Sequence, residues 1–149
     1  MNSYVDICLE TAFIAEGELA DKLFFNAIRI YRVLKSKEKV IELLVKIKED
    51  KKEVSSNIIQ SLFDFIFNRS ISTVTREDVL LVGLYGSGLQ SLALDGLSLI
   101  DDNMLKLIGV GCSQITSLSI GYCNKVTGKC QNVKMSKCQD YIILIWRDR

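Results

Sequence analysis

The chain has no histidine, no proline and only one tryptophan among its 149 residues. Without histidine it lacks the usual general base and the commonest neutral metal ligand. A cysteine nucleophile would have no imidazole to activate it, so the composition argues against an enzyme. Without proline, the turns lose one of their common devices. No stretch approaches the roughly 18 consecutive apolar residues of a membrane-crossing helix. Residues 1–6 lack a basic segment followed by a long apolar run, so no secretory signal is expected. The formal net charge is +1, which sets up no global field favouring nucleic acid or an anionic membrane. Neither is expected as a partner.

Cysteine is present but not in metal-binding form. Cys8, Cys112, Cys123, Cys130 and Cys138 are odd in number, with no C-x-x-C pair among them. No metal and no cofactor is therefore expected. They read as small core residues with reduced thiols, which places the chain in a reducing compartment, cytoplasmic or nuclear.

The remaining composition, 48% hydrophobic and 25% charged, is that of a soluble globular protein. Its strongest pattern is one phrase written twice. The first copy runs Leu89, Leu92, Leu94, Leu97, Ile100, and the second Ile115, Leu118, Ile120, Cys123, Val126. The offset is 115 − 89 = 26 residues throughout. In Leu92-Ala93-Leu94 and Leu118-Ser119-Ile120, large apolar residues alternate with small ones, so one strand face enters a core. Ser91, Ala93 and Asp95 then share the opposite face with Ser117, Ser119 and Gly121. Asp101 and Asp102 are placed to cap a following helix through Met104, Leu105, Ile108 and Cys112, and Thr127 holds the position of Asp101 in the second copy.

A period of about 20–29 residues headed by L-x-x-L-x-L is the signature of a leucine-rich repeat. The segment Leu118-Ser119-Ile120-Gly121-Tyr122-Cys123-Asn124-Lys125-Val126-Thr127 resembles the cysteine-containing subfamily of these repeats. That subfamily occurs in F-box/leucine-rich-repeat proteins and in relatives of the antagonist of mitotic exit network protein. Gly128 stands where the subfamily has Asp, and Leu97 replaces the first Cys. The resemblance implies an α/β fold: a short leucine-rich-repeat solenoid of strand–helix units, preceded by an α-helical N-terminal region. It also implies a role in protein binding, including substrate reception in a ubiquitin ligase complex.

Upstream, helical spacing is expected at 4–15, from about Leu19 to Leu34, and from Val40 to Ile47. The charged run 48–53 reads as a linker, which divides the chain into a helical region at 1–53 and a repeat region at 54–149. Between Arg29 and Lys52 there are nine basic and four acidic residues. Interspersed acids and pairs such as Glu42/Lys46 mark a solvated helix face rather than a nucleic-acid helix. Ser55 or Ser56 should cap a helix at 56–67, which reads either as a cap on the repeats or as an F-box remnant. Val74-Thr75-Arg76 lies 26 residues before Ile100-Asp101-Asp102, so a helix at 75–84 is expected from an earlier unit with a degenerate strand. The glycines at 83, 86 and 88 read as a turn into the next strand. They do not form a phosphate loop, because no Lys-Ser/Thr follows.

These readings converge on a non-catalytic interaction module. A protein partner would meet Ser91, Ala93, Asp95, Ser117, Ser119 and Gly121. The second reading is a ubiquitin-ligase receptor in which the 56–67 helix docks an Skp-type adaptor. The strand from Tyr141 to Trp146 is apolar on both faces. It is expected to be covered either by the N-terminal helices or by a second copy in a homodimer.

Overall fold

The computed structural model describes residues 3–126, which fall into two compact units, Met1–Ser72 and a second beginning at Thr73. The first unit is all helical: α1 (Ser3–Ile14), α2 (Gly17–Leu34), α3 (Lys37–Glu49) and α4 (Ser56–Ile66). Helix α1 packs on α2, and α4 packs on both α2 and α3. The packing follows the spacing of the apolar residues. Ala20, Phe24, Ala27, Ile28 and Tyr31 of α2 are buried at helical intervals, as are Val40, Leu43, Leu44 and Ile47 of α3. Helix α4 buries Ile58, Ile59, Leu62, Phe63, Phe65 and Ile66, so it is the hub of this core. Helix α1 is less buried than its composition suggests. Val5, Cys8 and Ala12 face inward, while Tyr4, Ile7 and Ile14 are exposed.

The helix ends explain why the chain reverses without proline. After α2, Lys35 takes φ 52°, and the Ser36 N–H donates to the Tyr31 carbonyl at 3.1 Å. After α3, Lys51 takes φ 51°, and the Lys52 N–H donates to the Ile47 carbonyl at 2.9 Å. Both are six-to-one closures of the Schellman type, with lysine where glycine is usual. The Lys52 ammonium then donates to the carbonyls of Phe13, at 3.2 Å, and Ala15 at the end of α1. A cation there satisfies orphan acceptors and complements the helix dipole. Lys46 sits 4.6 Å above the Phe13 ring, whose edge-on contact with Phe24 spans 5.1 Å.

The second unit contains α5 (Arg76–Tyr85), a short 3-10 turn (Gly86–Gly88), β1 (Ser91–Ala93), α6 (Asp102–Gly111) and β2 (Ser117–Ser119). Thr75 and Asp78 form a reciprocal capping box at the start of α5, with N···O distances of 3.3 and 2.9 Å. The Asp101 carboxylate caps α6 by accepting the Met104 N–H at 2.9 Å. Helices α5 and α6 meet with their backbones in contact. A Cβ placed on Gly111 would lie 2.6 Å from the Gly83 Cα. Gly83 therefore belongs inside α5 as a crossing point, not in the turn expected from its sequence neighbours.

The expected α/β solenoid is overturned. Helices make up 62% of the described residues, and only two short parallel strands accompany them, with no solenoid. The 26-residue offset does set the strand pairing, Ser91 to Ser117, Leu92 to Leu118 and Ala93 to Ser119, but within a sheet of two strands among the described residues. Upstream of β1 the pattern fails to extend for a physical reason. One period before β1, at 91 − 26 = 65, lie Phe65, Ile66 and Phe67, the end of α4 and its cap. All three are buried, inside the helix and its cap, which breaks the in-and-out alternation of the repeat strand. Helix α4 accordingly lies in the first unit, on the N-terminal side of the division after Ser72. The sequence expectation had put a boundary after residue 53. Thr127, Cys130, Cys138 and the strand expected from Tyr141 to Trp146 lie outside the described residues.

Candidate functional site

The β1–β2 ribbon gathers all six residues expected to meet a partner, but it gives them different duties. Its inner row, Leu92 and Leu118, is buried. On the outer side Ser91 pairs with Ser117 and Ala93 with Ser119 in parallel register. Ser91, Ala93 and Ser117 are exposed, and Ser119 is half-buried. Four short side chains thus lie in a two-by-two array over a packed leucine row.

Asp95 and Gly121 act differently. The pairing continues past the strands, with the Leu94 N–H donating to the Ser119 carbonyl at 2.7 Å and the Gly96 N–H to the Gly121 carbonyl at 2.8 Å. Above this extension the Asp95 carboxylate accepts the Gly121 N–H at 2.6 Å and the Ser119 hydroxyl at 2.5 Å. Charge-assisted bonds of this length hold the two segments together. Gly121 is buried, and a Cβ there would stand 3.0 Å from the Asp95 carboxylate oxygen. Its small size therefore makes room for the carboxylate. Asp95, Ser119 and Gly121 thus lie on the expected face and also form an internal clasp that fixes the array.

Two features of the face were not singled out in the sequence. The Gln90 carbonyl accepts the N–H groups of Thr116 and Ser117 at 2.9 and 3.1 Å, and the Thr116 hydroxyl at 3.2 Å. Together they lock the leading end of the ribbon. At the trailing end Tyr122 has φ 60° and is 74% exposed. A left-handed aromatic in full view of solvent is uncommon, and the Asn124-Lys125 neighbourhood offers no sequence cue for it.

The cysteines support the face from below. The Cys123 thiol donates to the Leu94 carbonyl at 3.1 Å, and the Cys112 thiol reaches toward the Val82 carbonyl at 3.9 Å. Cys8, Cys112 and Cys123 are buried and not in disulfides. Among the described residues no group of three His, Cys, Asp or Glu could hold a metal ion, and no helix is long and apolar enough to cross a membrane. No family model, curated protein or solved structure matches this chain.

Proposed function

We propose that this chain is a non-catalytic protein-interaction module whose docking face is the outer side of the β1–β2 ribbon. The observation that carries the reading is the two-by-two array of Ser91, Ala93, Ser117 and Ser119 over buried Leu92 and Leu118. Short side chains allow a partner to approach the strands closely. The leucine row and the Asp95 clasp keep the surface from adjusting, which reduces the ordering cost of association. Exposed Tyr122 beside the array supplies the kind of amphipathic ring that anchors interfaces. The buried reduced thiols are in keeping with a cytoplasmic or nuclear setting.

The receptor reading, with the 56–67 helix docking an Skp-type adaptor, has no comparable support. The apolar residues such docking would use are already buried in the first unit. The test uses the chain as bait beside Ala93→Arg/Ser117→Arg, with circular dichroism to confirm that the variant stays folded. At least one protein bound by the wild type should be lost from the variant. An unchanged set of bound proteins means the ribbon face is not the docking surface.

A further inference from the structure

The first unit carries a second feature, independent of the ribbon reading. Phe25, Ile28, Arg29 and Arg32 stand at i, i+3, i+4 and i+7 on one stripe of α2, and Ser61 faces them from α4. Together they line a cleft of about 260 Å³. Its volume is below the roughly 300–1,000 Å³ of small-molecule pockets, which suits a side chain rather than a cofactor.

Several other cations of the first unit are already engaged. Lys22 pairs with Glu18 at 3.2 Å, and Lys39 pairs with Glu42 at 3.5 Å. Lys46 lies over Phe13, and Lys52 holds the end of α1. Arg29 and Arg32, by contrast, have no ion-pair partner among the described residues, and no carboxylate lines the cleft. Two guanidinium forks one turn apart, beside a hydroxyl and over a half-apolar floor, match an anionic head with two or more oxygens on an apolar stem.

We infer that the α2–α4 cleft binds an acidic side chain, glutamate or phosphoserine, presented by a peptide segment of a protein partner. The fork geometry of the arginines matters here as much as their charge. A lysine is a point charge and cannot reproduce paired N–H···O contacts. The apolar floor of Phe25 and Ile28 selects a peptide with apolar neighbours rather than a bare polyanion.

The experiment follows the arginine Nε–Hε signals of the full chain by NMR at fixed ionic strength. The probes are acetyl-Leu-Glu-Leu-amide, its phosphoserine counterpart, the uncharged Gln counterpart and a twelve-nucleotide single-stranded DNA. One or both acidic peptides should shift the Arg29 and Arg32 signals saturably, and whichever does so identifies the anion. The Gln peptide should not. Arg29→Lys/Arg32→Lys, read through the backbone amide shifts of α2 in both proteins because it carries no guanidinium at these sites, should keep the backbone spectrum of the free wild type and weaken the peptide by about tenfold, because charge is kept and the forks are lost. The inference fails if neither acidic peptide moves these signals, or if the lysine variant binds as the wild type does. It also fails if the DNA saturates the same signals at lower concentration than either peptide, which would make the cleft a phosphate-backbone contact. None of these outcomes depends on the ribbon face.

Discussion

At the scale of single residues, the ribbon separates structural positions from surface ones sharply enough to measure. Leu118 is fully buried, and the residue before it, Ser117, is exposed. Leu118→Ala should cost roughly 2–5 kcal/mol, the range for buried leucine truncations. Ser117→Ala should change stability by no more than about 0.5 kcal/mol. Urea melts of the two variants check this, and equal midpoints would refute the register. Asp95 makes a subtler case. Its removal leaves the buried Gly121 N–H without an acceptor, so Asp95→Ala should destabilise by roughly 1.5–3 kcal/mol. Asp95→Asn keeps one amide oxygen for that N–H and should lose visibly less in the same melt. The inward and outward assignment of these residues was legible from alternation alone. The clasp was not, because nothing in a linear pattern says that the Asp95 carboxylate reaches a backbone N–H 26 residues on.

At the scale of elements, helical spacing served well, and the glycines and lysines carried information that spacing misses. The helix expected at 75–84 is α5, and those expected around 4–15, 19–34 and 40–47 are α1, α2 and α3. Gly83 reads in the sequence as part of a turn, yet with Gly111 it allows α5 and α6 to touch. Contacts between elements are long-range, and glycine alone does not announce them. Gly111→Ala should force the helices apart and cost about 1–3 kcal/mol, as overpacking does. Its neighbour Val110 is 80% exposed, so Val110→Ala should be nearly neutral in the same thermal melts. The left-handed closures invite the opposite experiment. Lys51 is exposed at φ 51°, a conformation that costs an L-residue roughly 1–2 kcal/mol and glycine almost nothing. After allowance for the extra chain entropy of glycine, Lys51→Gly should stabilise by roughly 0.5–1 kcal/mol. A lower midpoint for Lys51→Gly would mean that the lysine side chain contributes more than its backbone costs.

At the scale of the whole molecule, the sequence pattern overreached for an identifiable reason. A repeat is read by copying one good unit outward, and the two good copies at 89–100 and 115–126 pair in the expected register. One step upstream the same spacing falls on Phe65, Ile66 and Phe67, where continuous burial belongs to the core of α4. Local phase agreed with the repeat, and tertiary packing decided otherwise. The first unit consequently holds a core of its own, with Phe24, Phe63, Phe65, Leu44 and Leu62 each at most 2% exposed. Four helices joined by short turns form a compact unit of their own, and such low-contact-order topologies fold fast. At 72 residues such a unit sits near the lower limit for a single core without disulfides or metal. Residues 1–72 expressed alone should therefore show helical circular dichroism and a cooperative but shallow urea transition. Phe24→Ala removes the ring that packs edge-on against Phe13, at a cost of about 3–5 kcal/mol, comparable to the whole stability of so small a core. That variant should lose the transition altogether, while Ile14→Ala, at a site 83% exposed, should keep it. If the unmodified fragment gives only a random-coil spectrum, the helices depend on the remainder of the chain. If Phe24→Ala melts like its parent, the centre of the core lies elsewhere.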